Sequence, residues 1–229
     1  MPDVDLSFLP HREDEREALA ALFSELINAG DDNLESLIVF GSAATGAFDP
    51  EKSDLNLVVL LRRDDRDVLE AIKPHLSALI RRFKVSPLVS TREELESSAD
   101  VFPVKFLSIR ERHRVLFGYD PFETMQIRRV HLRLRCEQEL KNMAIRFRRA
   151  LVSRAATPLA RVDMIRNFLS GFTTVLRTML TMVDQKPKEG RLEVIQQAAL
   201  FFDLPKDQLA ELAELGWGEG ELPDNDRLE

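Results

Sequence analysis

With 229 residues, 44% of them apolar and 31% charged, the chain can bury one large core or two modest ones and is neither disordered nor fibrous. A net charge of −7 argues against a protein built mainly to coat nucleic acid, which needs a surplus of clustered Lys and Arg. Cys136 stands alone, residues 1–17 hold no signal-like apolar run, and the most apolar long segment, 168–183, is broken by Arg177. A reducing, cytoplasmic setting with no membrane span is therefore expected.

Leu19, Leu22, Phe23 and Leu26 recur at helical spacing ahead of Ala29-Gly30, which predicts an amphipathic helix over 13–28 ended by glycine. Leu37-Ile38-Val39-Phe40, closed by Gly41, and the run Leu55 to Leu61 predict two buried strands. Val68, Leu69, Ile72, Leu76, Leu79, Ile80 and Phe83 return to helical period, and Pro74 is expected to kink or divide that helix. Lys84 to Ser90 predicts a third strand, and Thr91-x-x-Glu94 is a capping-box start for a short helix.

Val101 to Ile109 and His113 to Phe117 are the remaining strand candidates, before Gly118-Tyr119-Asp120-Pro121 marks a turn. Beyond it the pattern is helical: one helix over about 122–153, and a second from Thr157-Pro158, where Thr suits a cap and Pro the first helical position. Two shorter helices, 192–202 and 206–215, follow a linker at 185–190, and 216–229 is expected to fray. The predicted organisation is an α/β domain over 1–120, a helical bundle over 121–215 and a flexible tail over 216–229.

The most informative stretch is Gly41-Ser42-Ala43-Ala44-Thr45-Gly46 followed by Ser53-Asp54-Leu55-Asn56-Leu57-Val58-Val59. It resembles the signature of the nucleotidyltransferase superfamily, of the kanamycin nucleotidyltransferase-like and minimal kinds, with the second acid of Asp-x-Asp replaced by Asn56. The resemblance implies an α+β fold: a nucleotidyltransferase-like mixed β-sheet with flanking helices, followed by a C-terminal helical bundle. It further implies that Gly41, Ser42, Gly46 and Ser53 hold the phosphates of a nucleoside triphosphate. Asp54 and Asn56 then occupy the catalytic and metal positions, with Mg²⁺ as cofactor. On a strand, residues two apart share a face roughly 6–7 Å apart, so both would meet one ion. The family's third carboxylate lies on a later strand, and 84–90 contains no acid. Asp49, Glu51 and Asp100 are the acids nearest in sequence that could replace it, and Lys105, if on a neighbouring strand, could supply a cation instead.

His11, His75, His113 and His131 show no metal or catalytic spacing and are expected at surfaces or interfaces. Arg128 to Arg154 is rich in arginine with only Glu137 and Glu139 opposed, which suits a solvated helix face or a polyanion contact. Three readings remain open. The first is a superfamily protein with a depleted metal site that binds nucleotide weakly, or acts as a regulatory or interaction module, with little or no transferase activity. The alternative is an active Mg²⁺-dependent nucleotidyltransferase moving a nucleoside monophosphate from a triphosphate to a hydroxyl or amine of a small molecule or protein. The weakest is an RNA-associated protein using the basic helix, since no aromatic stacking set accompanies those arginines. Base preference, acceptor and activity are not fixed by the sequence, and a protein partner or homo-oligomer stays open.

Overall fold

The apolar runs on either side of Gly41–Gly46 pair with each other. Strand β1 (Leu34–Phe40) lies antiparallel to β2 (Leu55–Leu61), with Leu37 opposite Val59 and Phe40 opposite Asn56. The computed structural model describes residues 4–46, 48–51, 53–152 and 158–218. β2 continues in parallel to β3 (Val85–Thr91), and β4 (His113–Gly118) is antiparallel to the far side of β1, giving the order β3-β2-β1-β4. A parallel pair needs a crossover, supplied by the helix Arg66–Phe83 (α2). Asp65 caps its start by accepting from the Val68 amide. Pro74 does not divide α2: it and Glu70 are exposed, so water reaches the carbonyl that the proline ring leaves without an amide.

Alternation along the central strands sends side chains to two cores. One face, with Leu37, Val39, Leu55, Leu57 and Val59, packs on the first helix, α1 (Glu13–Gly30), through Leu19, Phe23 and Leu26 and on α2 through Ile72 and Leu79. The other face, with Ile38, Val58 and Leu60, packs on Leu95 of α3 (Arg92–Ser97) and on Phe106 and Ile109 of α4 (Pro103–Glu111). Thr91 and Glu94 form the expected capping box at the start of α3.

Two segments depart from the sequence expectation. Val101 to Ile109, expected as a strand, contains the start of helix α4, with Pro103 in its first turn and Phe106, Leu107 and Ile109 buried. In so short an apolar run the two periods cannot be told apart, and the proline was the informative residue. The long helix expected from 122 begins only at Arg129 (α5, Arg129–Val152). The chain before it is irregular because it closes the second core: Phe122 is fully buried there with Met125, and its amide donates to Asp120 Oδ1 at 2.8 Å. The chain accordingly divides into two compact units, Met1–Ile127 and Arg128–Glu229.

In the second unit α6 (Pro158–Met182) is the central element. Its Leu169, Leu176 and Leu180 pack with Val194, Ile195 and Ala198 of α7 (Arg191–Phe201) and with Leu209 of α8 (Lys206–Trp217). A smaller cluster of Cys136, Met143 and Val175 joins α5 to α6. Burial raises the Cys136 thiol to about 11, which keeps it protonated and unreactive at neutral pH. Gly216 and Trp217, expected within a fraying tail, belong to α8, and Gly216 is buried against Leu169 of α6. The rest of that tail from 219, and the Thr157 cap, lie outside the described residues. Among the described residues no helix is long and apolar enough to cross a membrane.

His11 also departs from expectation. It is buried, its ring centroid 5.6 Å from that of Phe48 and 6.1 Å from that of Phe83, and its Nδ1 has no hydrogen-bond partner among the described residues. Burial, the largest influence, moves its pKa below the ordinary value; Glu15 opposes and Arg16 reinforces this. The unfolded chain therefore takes up this proton first. The neutral ring's contribution is intact above the unfolded pKa of about 6.5 and is lost as pH falls through the lower folded value. Urea unfolding between neutral and mildly acidic pH should show stability falling with pH in the wild type and a flatter dependence in His11→Phe. Phe122→Ala should cost about 3–5 kcal/mol in the same measurement, the range for emptying a buried aromatic position.

Candidate functional site

At the end of β1 the chain must leave the sheet at once, and Gly41 does so with φ +79. That left-handed conformation suits glycine. Residues Gly41–Thr45 form a 3-10 turn, and Gly46, at φ +76, ends it. The Gly41 amide is already committed to the Arg112 carbonyl at 3.0 Å. The Ser42 carbonyl accepts from Thr45 Oγ1 at 3.1 Å and from the Gly46 amide, which closes the turn.

Because β1 and β2 run antiparallel, the end of the first adjoins the beginning of the second. A Cβ added at Gly41 would lie 3.3 Å from Asn56 Nδ2, so the glycine and the asparagine side chain are immediate neighbours. Asn56 is partly buried, whereas Asp54, just before β2, is exposed. The connecting loop is tied down locally: the Ser53 amide donates to the Asp49 carbonyl at 2.8 Å and the Glu51 amide to Asp49 Oδ1 at 3.0 Å. Asp49 is thereby occupied in shaping the loop, Glu51 is exposed, and Asp100 sits in the turn between α3 and α4.

Strand register fixes what surrounds the motif. Asn56 is flanked by Phe40 on β1 and Ser86 on β3. Beside Asp54 comes Lys84, whose carbonyl accepts the Leu55 amide at 3.1 Å and whose Nζ donates to the Glu51 carbonyl at 2.7 Å. None of the three neighbours carries a carboxylate, and among the described residues no group of three or more His, Cys, Asp or Glu side chains is placed to hold a metal ion. Mg²⁺ in nucleotide sites is usually held by one or two carboxylates together with substrate phosphates, and here Asp54, beside the neutral amide of Asn56, is the carboxylate at these positions. Lys105, expected on a neighbouring strand, is instead exposed on helix α4 and supplies nothing to these strands.

Two features of this region had no signal in the sequence. Lys84 reaches the loop because it takes φ +49 to close α2 before β3 begins. His113, across Phe40 from Asn56, is largely buried: its Nε2 lies 2.8 Å from Asp120 Oδ2 and its Nδ1 2.9 Å from the Ile109 carbonyl. With both ring nitrogens engaged, this histidine fastens β4 to α4 and to the following turn.

Comparison with known proteins agrees with this geometry. A sequence model of the nucleotidyltransferase domain matches residues 23–116, from within α1 to β4. The chain is similar to the crystal structure of spectinomycin adenyltransferase AAD(9) from Enterococcus faecialis with ATP and spectinomycin, at 15% identity and a TM-score of 0.52, covering 93% of this chain and 94% of that one. At that identity the likeness establishes the fold, which is nucleotidyltransferase-like. No curated protein matches the chain in sequence.

Gly41→Ala should lower stability by about 1–2 kcal/mol, the cost of a left-handed backbone for a residue with a Cβ, and should also crowd Asn56. Gly46→Ala, with nothing within 4 Å of the added Cβ, should carry only the backbone cost. Chemical denaturation of both variants, with nucleotide titration of each, checks the contrast.

Proposed function

We propose that this protein is a nucleotide-binding member of the nucleotidyltransferase fold whose metal site is depleted, so that it binds a nucleoside triphosphate weakly and serves a regulatory or interaction role with little or no transferase activity. What carries the reading is the set of residues around the Asp54–Asn56 pair: Phe40 and Ser86 are the strand partners of Asn56, Lys84 lies beside the start of β2, and none of the three is acidic. In this reading Gly41 allows close approach of a phosphate, the Ser42 hydroxyl donates to it, and the Lys84 ammonium lowers the repulsion between Asp54 and a polyanion. Nucleotidyl transfer depends on divalent cations to neutralise the triphosphate and orient the leaving pyrophosphate. Loss of outer-shell partners alone costs about 10–100-fold in metal affinity or activity, and loss of a directly bound carboxylate costs no less.

A second reading is transfer of a nucleoside monophosphate to a hydroxyl or amine of a small molecule. It is favoured by the likeness, over nearly the whole chain, to an adenyltransferase crystallised with ATP and spectinomycin. For the basic helix, the ion pairs Arg133–Glu137, Arg135–Glu139, Arg146–Glu139 and Arg129–Asp184 support a solvated face over an RNA contact.

Calorimetric titration with ATP, GTP, CTP and UTP, with and without Mg²⁺, separates the readings. The proposal expects weak binding that changes little with Mg²⁺, and a gain of roughly 10–100-fold in Mg²⁺-nucleotide affinity on restoring the acid in Asn56→Asp. Tight Mg²⁺-dependent binding lost in Asp54→Ala, together with pyrophosphate release on addition of a small-molecule acceptor, would establish the second reading in its place. An Asn56→Asp variant no different from wild type would mean that the two positions do not serve one ligand.

A further inference from the structure

Helix α5 is apolar on two opposite sides. Cys136 and Met143 face the core shared with α6. On the other side Val130, Leu134, Ile145 and Val152 are 64%, 66%, 61% and 84% exposed. At about 100° per residue these four fall within roughly 60° of one another, so they lie along one line of the helix, interrupted by charged residues. The α6 contact uses only the opposite side of α5, so these four aligned apolar side chains are not needed for the unit's own core. The same line includes Glu137, Lys141 and Arg148, all exposed; Glu137 pairs with Arg133 of its own helix, and no ion pair of Lys141 occurs among the described residues.

We propose that this stripe is the contact between two copies of the chain, packed α5 against α5 in antiparallel fashion about a two-fold axis near Glu139. The order of charges along the stripe selects this occupant and this register. With the axis at Glu139, Glu137 of each copy meets Lys141 of the other, Leu134 meets Ile145, and Val130 meets the aliphatic stem of Arg148, each pairing occurring twice. A parallel pair would set Lys141 on Lys141 and Arg148 on Arg148. Sliding the antiparallel pair by about one turn, so that Val130 meets Val152, again opposes Lys141 to itself. An anionic membrane surface or a nucleic acid would be served by a stripe of one sign, and Glu137 lies near the middle of this one. The symmetry also makes the contact close on itself, which limits the assembly to a dimer. This inference is independent of the nucleotide reading, because it uses no residue of the Gly41–Asn56 region.

A single helix pair lies at the small end of specific interfaces, so a dissociation constant on the order of 10–100 µM is expected. Sedimentation velocity of the full chain from about 5 to 300 µM should show a monomer–dimer equilibrium across this range. Leu134→Glu and Ile145→Lys, both on the exposed side and away from the α6 contact, should each leave circular dichroism unchanged and give a monomer throughout. Lys141→Glu should weaken association by about 10-fold or more, and the double exchange Glu137→Lys with Lys141→Glu should return it to within about 3-fold of wild type. A wild type monomeric at the highest concentration would overturn the proposal, as when the stripe lies against another part of its own chain. So would a dimer that survives both apolar replacements, or a double exchange no better than the single one.

Discussion

The register between β1 and β2 is the constraint on which the candidate site depends. Both strands are buried on two faces, so a slip of one residue would turn each apolar set out of its core and into the other. That penalty fixes Phe40 opposite Asn56, brings Gly41 against the asparagine amide, and places Asp54 one step outside the sheet, beside the end of α2. The site is thus a by-product of core packing. Its backbone shape is specified by hydrophobic burial several residues away, and the shape persists whether or not the side chains on it are suited to a metal ion.

The scaffold and the charge at the site are thus set by different residues. The turn at Gly41–Gly46 needs only glycine where φ is positive, and the β2 strand needs only its apolar residues. The side chains of Asp54 and Asn56 belong to neither core. An asparagine at 56 is compatible with that packing, and Lys84 serves loop closure by donating to the Glu51 carbonyl. Electrostatics at such a site is decided by a few exposed groups and is therefore free to vary without disturbing the sheet.

The helical unit follows another logic. Its core is organised by α6, which meets α5 on one side and α7 and α8 on others, and that central role demands an apolar residue at nearly every inward position. Helix α5 contributes one face to this core and carries its remaining apolar residues outward between charged ones. Its many arginines are partly neutralised by the acids a turn away, so the basic character of the sequence there is weaker in three dimensions than in composition.

Much of the first unit was legible in the residues themselves. β2 was read with its observed ends, and β1, α1, α2 and the capping box at Thr91 followed from periodicity and local hydrogen-bonding chemistry, which act between residues close in sequence. Misreadings arose where tertiary packing overrode or masked the local signal: α4 hidden in a short apolar run, the segment 122–128 drawn out of helix to cover the second face of the sheet, and His11 taken into the core. What the sequence by itself determined is the set of elements whose hydrophobic period is unambiguous, together with the residue types at positions 41–56. Only the tertiary structure decided that Lys84 and Ser86 flank the motif and that no third acid approaches it among the described residues, because strand register joins residues some thirty positions apart and no local pattern encodes that distance.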